Sequence, residues 1–154
     1  MSGRPWERDG RRSGFAGLVG LRVLSGERGE AEVSCEVGED HLNVGGTVHG
    51  GVIATLVDVA VGVACHTLDA ERPGRAMATT ELSITFLQPS SAGPLTCRAR
   101  IRRRGRSLAV GEAEVSDAAG RLMALGRATY LVGGAGPAPG RSPADDSLGL
   151  SAEA

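Results

Sequence analysis

From Gly50 to Leu68 the chain carries one charged side chain, Asp58, and its apolar residues fall on every side of a helical wheel. A helix that is apolar all round is buried all round. The remaining chain therefore has to wrap this segment. Its densest apolar part, Val52 to Cys65, holds Asp58 in the middle and suits a core helix better than a membrane span.

What wraps it reads as sheet. Residues 30–37, Glu-Ala-Glu-Val-Ser-Cys-Glu-Val, alternate polar and apolar as a half-buried strand does. Glu81 to Phe86 alternates too, with Leu82, Ile84 and Phe86 on one face. Leu95 to Ile101 sets Leu95, Cys97, Ala99 and Ile101 inward and arginines outward. Strands over Leu108–Val115 and Leu122–Val132 complete the set, with Gly111 suggesting a bulge. Turn signals at Pro89–Pro94, Arg104-Gly105 and Asp117–Gly120 separate the last four strands. The reading is α+β: one strand, a long helix, then four strands in an antiparallel meander curved around it.

At 154 residues this is one domain. Met1–Ser13 and Gly133–Ala154 are polar or rich in Gly, Ala and Pro without periodicity, and are expected to be disordered around a domain at 14–132. Only Trp6, Phe15, Phe86 and Tyr130 are aromatic, so the core is aliphatic. A net charge of -1 argues against nucleic acid and anionic membrane as partners. All basic residues are arginine, which excludes lysine Schiff-base chemistry. Cys35, Cys65 and Cys97 form no CxxC pair, so neither a disulfide framework nor a zinc site is expected. Arg11-Arg12 ahead of Phe15–Leu21 makes a weak export signal that Arg22 interrupts. A reducing, cytoplasmic setting is the expectation.

The chemistry gathers at the helix start, in His41-Leu-Asn43-Val-Gly-Gly-Thr-Val-His49-Gly50-Gly51. Two glycines there leave unshielded N–H groups at the positive end of the helix dipole, where an anion or a developing oxyanion is stabilised. They also serve simply as a tight turn into the helix. Asp58 is the second feature, either a structural carboxylate bonded to a hydroxyl or a base or nucleophile tuned by burial. It follows Gly51 by roughly 10 Å along the axis at 1.5 Å per residue, too far to serve a carbonyl held at its own helix N-terminus. If the two act together, each site is shared between the antiparallel helices of a two-fold dimer.

Asn43-x5-His49-Gly50-Gly51, Asp58 and Thr79-Thr80-Glu81-Leu-Ser-Ile-Thr-Phe-Leu-x-Pro89 together resemble the hotdog-fold acyl-CoA thioesterases of the phenylacetate-degradation type. Arg103-Arg-Gly-Arg106-Ser-Leu-Ala-Val-x-Glu112 and the Asp117-x-x-Gly120 turn extend the resemblance over Phe15 to Val132. It implies hydrolysis of acyl-CoA, or acyl-carrier-protein, thioesters by a homodimer paired into a tetramer, without metal or cofactor. By position, Asp58 attacks the thioester or activates water, and the Gly50 N–H polarises the carbonyl. Asn43 places substrate or water, His49 holds the Asn43 loop, and Thr79 positions water. Gly51 and Thr80 join the substrate site, and Arg103, Arg104 and Arg106 face the CoA phosphates. Small residues such as Ala54, Ala60 and Gly62 are compatible with many acyl shapes. The rival reading is a hotdog protein that binds acyl-CoA without turnover, as a regulator or scaffold. A dehydratase ranks below both, because the helix has no Glu and only His66 late in it.

Overall fold

The computed structural model describes residues 14–69 and 75–135. The elements are α1 (Gly14–Leu18), β1 (Leu21–Glu27), β2 (Glu30–Cys35), a 3-10 turn at Glu39–His41, α2 (Gly50–Leu68), β3 (Arg75–Phe86), β4 (Leu95–Arg104), β5 (Leu108–Ser116) and β6 (Leu122–Ala135). Six antiparallel strands form one sheet in the order β1-β2-β4-β5-β6-β3 and curl around α2, the arrangement of the hotdog fold.

Two expectations change here. A strand, β1, precedes the one expected at 30–37; its alternation breaks at a bulge between Val23 and Ser25, which hid it. It turns into β2 through Arg28-Gly29, both at positive φ (49° and 81°), the conformation a tight hairpin demands. Second, the late strands are not one meander. Only β4-β5-β6 are consecutive neighbours, whereas β3 lies beyond β6 and crosses the sheet to reach β4. The Pro89–Pro94 segment is therefore a crossover and not a hairpin turn. β6 runs three residues past the expected domain end at Val132, to Ala135. The segments expected to be disordered, 1–13 and the tail beyond Ala135, lie outside the described residues.

The helix begins and ends where the apolar run does. Val52, Ile53, Leu56, Val57, Ala60, Val61, Val63, Ala64 and Cys65 are buried against the sheet, whose inner face contributes Val33, Leu95, Cys97, Val115, Met123 and Val132. Each fully buried Leu or Val contributes about 1.5–3 kcal/mol relative to exposure. Close approach depends on two sheet glycines. A Cβ on Gly111 would stand 2.6 Å from Val61, and one on Gly126 2.5 Å from Val57. Val57 and Val61 are one helical turn apart, so the pair forms a ridge seated in two side-chain-free gaps. Gly111 itself is not bulged; the bulge sits opposite, between Ile101 and Arg103 of β4.

One sheet covers only part of a helix. Ala54, Thr55, Asp58 and Val59 form a half-buried strip, and Gly51 is exposed. The expectation of burial all round thus fails along this strip within a single chain. β3, at the sheet edge beside it, leaves Leu82 and Phe86 exposed even though they face inward, opposite buried Ala128 and Ala124.

Candidate active site

Loop, helix and edge strand build the site. Asn43 shapes the loop ahead of α2: its Oδ1 accepts from the N–H groups of Gly45 (2.8 Å) and Thr47 (3.2 Å), and its Nδ2 donates to Thr47 Oγ1 (2.9 Å). Thr47 ties the Asn43 side chain, and His49 closes the same loop through its backbone N–H, which donates to the His41 carbonyl at 2.8 Å. The His49 ring is the helix N-cap, its Nδ1 accepting from Gly51 N–H at 2.9 Å. That bond occupies the Gly51 donor, so Gly51 is not a free ligand for substrate. His41 is also structural; its Nδ1 accepts from Gly38 N–H at 2.8 Å and its Nε2 donates to Val19 O at 2.9 Å.

Gly50 differs from its neighbour. Its N–H has no hydrogen-bond partner among the described residues and is the first of the helix, at the positive end of the dipole. A groove of about 370 Å³ opens beside it, lined by Val48, Gly50, Ile53, Phe86, Leu87, Gln88, Pro89 and Ser90. Phe86 stands over Gly50 so closely that a Cβ there would lie 3.1 Å from the ring. A larger hollow of about 500 Å³ lies on the outer sheet face among charged side chains and touches none of these residues.

Asp58 is half-buried and is not alone. Thr79 Oγ1 donates to its Oδ1 at 2.7 Å, and Tyr130 Oη lies 2.8 Å from the same oxygen and 2.6 Å from the Asp58 carbonyl. The lone buried carboxylate that the sequence suggested is thus held by two hydroxyls, from β3 and β6. A β-bulge makes this possible. Thr79 pairs with Tyr130 and Glu81 with Thr129, leaving Thr80 as the extra residue. Without the bulge, Thr79 and Leu82, three apart, would face opposite ways; with it, Thr79, Leu82, Ile84 and Phe86 all face the helix. Thr80 bonds the Thr129 carbonyl at 3.1 Å. Its hydroxyl is spent on the sheet, contrary to a direct substrate role.

The arginine turn divides. The β4 bulge reverses the face of the residues after it, so Arg104 pairs across from buried Ala109 and turns inward. There it holds Asp69 at the C-cap of α2 through contacts of 2.8, 3.0 and 3.2 Å, and also bonds the Gly105 carbonyl. Asp69 is buried and the Arg104 side chain, 16% exposed, is mostly covered, so Arg104 is not available to a phosphate. Arg103 and Arg106 are exposed and make no ion pair among the described residues. The turn also sits at the far end of α2 from Gly50, roughly 28 Å away along a helix of this length at 1.5 Å per residue. No cluster of three or more metal-ligating side chains occurs among the described residues.

A free N–H at a helix start, a carboxylate pinned by hydroxyls, and a six-stranded sheet curled around one helix define a class of protein that comparison makes specific. Residues 45–124 match the model of the Thioesterase superfamily. Acyl-coenzyme A thioesterase 13 of Homo sapiens is 30% identical over 73% of this chain and 80% of its own. The structure of the PaaI protein from the phenylacetic acid degradation operon of Escherichia coli matches with a TM-score of 0.70 at 30% identity, covering 79% of this chain and 85% of that one. A Pseudomonas aeruginosa protein, PA5202, matches with a TM-score of 0.73 at 34% identity, covering 82% and 98%. The chain belongs to the hotdog-fold thioesterase superfamily and is of the PaaI-like type.

Proposed function

We propose that the protein hydrolyses acyl-CoA thioesters, with acyl-carrier-protein thioesters as the alternative carrier. The observation that carries this reading is the combination of an unpartnered Gly50 N–H and a half-open, hydroxyl-held Asp58. The two cannot meet within one chain, so the working site is composite: two antiparallel helices of a homodimer set Asp58 of one copy against Gly50 of the other. The open strip on α2 and the exposed inner face of β3 are the surfaces such a dimer would cover, and two dimers pair into a tetramer.

In that site the Gly50 N–H donates to the thioester carbonyl oxygen and gains strength as charge develops on it. Asp58 either removes a proton from water, whose oxygen then bonds to the carbonyl carbon, or attacks that carbon itself to form an anhydride that water opens. In both routes the C–S bond breaks, the thiolate leaves and takes up a proton, and the acid is released. Asn43 shapes the loop beside the carbonyl, and Thr79 orients Asp58. Arg103 and Arg106 are the arginines of the turn left to meet CoA phosphates. Three buried, unbridged cysteines fit a cytoplasmic setting.

A panel of acyl-CoAs assayed for free thiol tests the reading. Wild type should release thiol, and Asp58→Asn should lose several orders of magnitude in kcat while remaining folded. Tight acyl-CoA binding with no turnover by wild type would favour the binding-protein reading instead.

A further inference from the structure

We propose that Tyr130 is a positioning residue for Asp58: together with Thr79 it anchors Oδ1, so that Oδ2 is the oxygen that reacts. This deepens the thioesterase reading and rests on it.

The geometry is specific to one oxygen. Both hydroxyls reach Oδ1, at 2.7 Å from Thr79 and 2.8 Å from Tyr130, while Oδ2 takes no hydrogen bond from any described residue. A carboxylate held at one oxygen by two donors has its plane and rotamer fixed, leaving the other oxygen's lone pairs directed at the open strip. Tyr130 also reaches the Asp58 carbonyl at 2.6 Å, so its single proton lies between the backbone and the side chain of the same residue. The phenol thus registers the carboxylate against the helix itself.

The fold makes room for this contact. Gly62 lies one turn after Asp58, inside a helix where glycine costs about 1 kcal/mol relative to alanine. A Cβ at Gly62 would stand 2.8 Å from Tyr130 Oη, on top of the hydroxyl. The gap at Gly62 is therefore filled by the phenol. The cross-strand pair of Thr79 with Tyr130 then brings both donors to the carboxylate from adjacent strands.

Ionisation agrees with a donor role. Burial, assisted by Asp58 and opposed by the Thr79 hydrogen bond, pushes the phenol far above its ordinary range, so Tyr130 keeps its proton at any physiological pH. The other titratable group facing the phenol is Cys65 of α2, whose thiol burial pushes up to about 11; Arg104 lowers and Asp69 raises it. Neither the phenol nor the thiol titrates where a carboxylate does.

Tyr130 is the chain's only tyrosine, which makes the test direct. Protein grown with 3-fluorotyrosine carries one 19F resonance, and it should shift in Asp58→Ala, which removes the carboxylate that faces the phenol. Tyr130→Phe should lower kcat about 10- to 100-fold with KM within about twofold, since a small misplacement of a reacting group costs about that much. Gly62→Ala, which favours the helix but displaces the hydroxyl, should reproduce that split with the phenol still present, and serves if Tyr130→Phe fails to fold. A 19F resonance indifferent to Asp58→Ala, or unchanged kcat in both variants, would overturn the proposal. Absence of thiol release by wild type, with the Asp58-dependent 19F shift intact, would strike the thioesterase reading and leave the anchoring of Oδ1 standing.

Discussion

At its N-terminal end, α2 leaves the Gly50 N–H without a partner, and two turns in it leaves one oxygen of Asp58 open. At its C-terminal end the same helix is closed. Arg104 grips Asp69 at the cap, and Thr67 accepts from Gly29 N–H at 2.7 Å, tying the β1–β2 turn to the last helical turn. Both ends carry a carboxylate facing donors from the sheet, but the donors differ. Two neutral hydroxyls orient Asp58 and leave it able to react, whereas a bidentate guanidinium consumes both oxygens of Asp69. One end is arranged for chemistry and the other for stability, and substitutions should separate the two.

The sharpest separation comes from Arg104→Ala. It takes the guanidinium away from the buried Asp69 carboxylate, and breaking such a pair from one side costs about 3–5 kcal/mol. Chemical denaturation should show this loss, while the kcat of whatever fraction remains folded stays near wild type. Replacing both partners by apolar residues, Arg104→Met with Asp69→Leu, should recover most of the stability. A drop in kcat larger than the drop in folded protein would break the division between the two ends.

Gly50→Pro is the mirror experiment. Proline is well suited to the first helical position, and the N–H it removes has no protein partner to lose. His49 already has the extended backbone that a residue before proline adopts, at φ -62° and ψ 135°. Stability should therefore change little, while kcat falls about 100- to 1000-fold, as for loss of one oxyanion donor. Gly50→Ala crowds Phe86 but keeps the donor, so comparing the two isolates the N–H from the steric change. Equal activity in both would show that the Gly50 N–H does not touch the reaction.

Much of this contrast was readable in the residue order, and bulges account for most of what was not. Helix α2 announced itself because nothing interrupts its apolar run, and Asp58, Gly50 and Asn43 stood out as polar or side-chain-free positions in apolar or turn surroundings. Strand faces were legible only up to the first bulge. An extra residue reverses the face of everything after it, and alternation alone does not mark where that happens. The bulge at β1 concealed a strand. The one in β4 turned Arg104 from an expected phosphate ligand into the partner of Asp69. The one in β3 put Thr79 on the same face as Phe86. Tyr130 was missed for another reason: its partners, Asp58 and Gly62, are brought to it by tertiary packing, and a buried tyrosine in a strand ordinarily reads as core.

Acid should weaken the closed end through His66, which lies in the last turn of α2. Burial lowers its pKa from the ordinary 6.5, with Asp69 opposing. The unfolded chain then binds the proton first as pH falls, so stability declines from about the unfolded value downward until the folded ring protonates as well. The denaturation midpoint should fall between about pH 7 and pH 5, and His66→Gln should flatten that slope. An unchanged slope in the variant would mean that another group governs acid sensitivity.

The smallest effect tests whether position, and not residue type, separates arginines on one strand. Arg98 and Arg104 both lie on β4 and both hold a carboxylate, Arg98 through a 3.1 Å contact with Glu32. The β4 bulge leaves Arg98 on the outer face, with its side chain 73% exposed, in a row that runs from Glu32 to Glu114 across the strands. Water competes for every contact there, and salt screens what remains. Arg98→Ala should therefore cost less than about 1 kcal/mol, and added salt should shrink even that. Arg104→Ala should keep its several-fold larger cost at high salt, because its pair is buried and water does not screen it. If the two substitutions cost the same, or if salt erases the Arg104 effect, then the bulge has not built a buried pair and the closed end of the helix is held by its apolar contacts and the Thr67 tie.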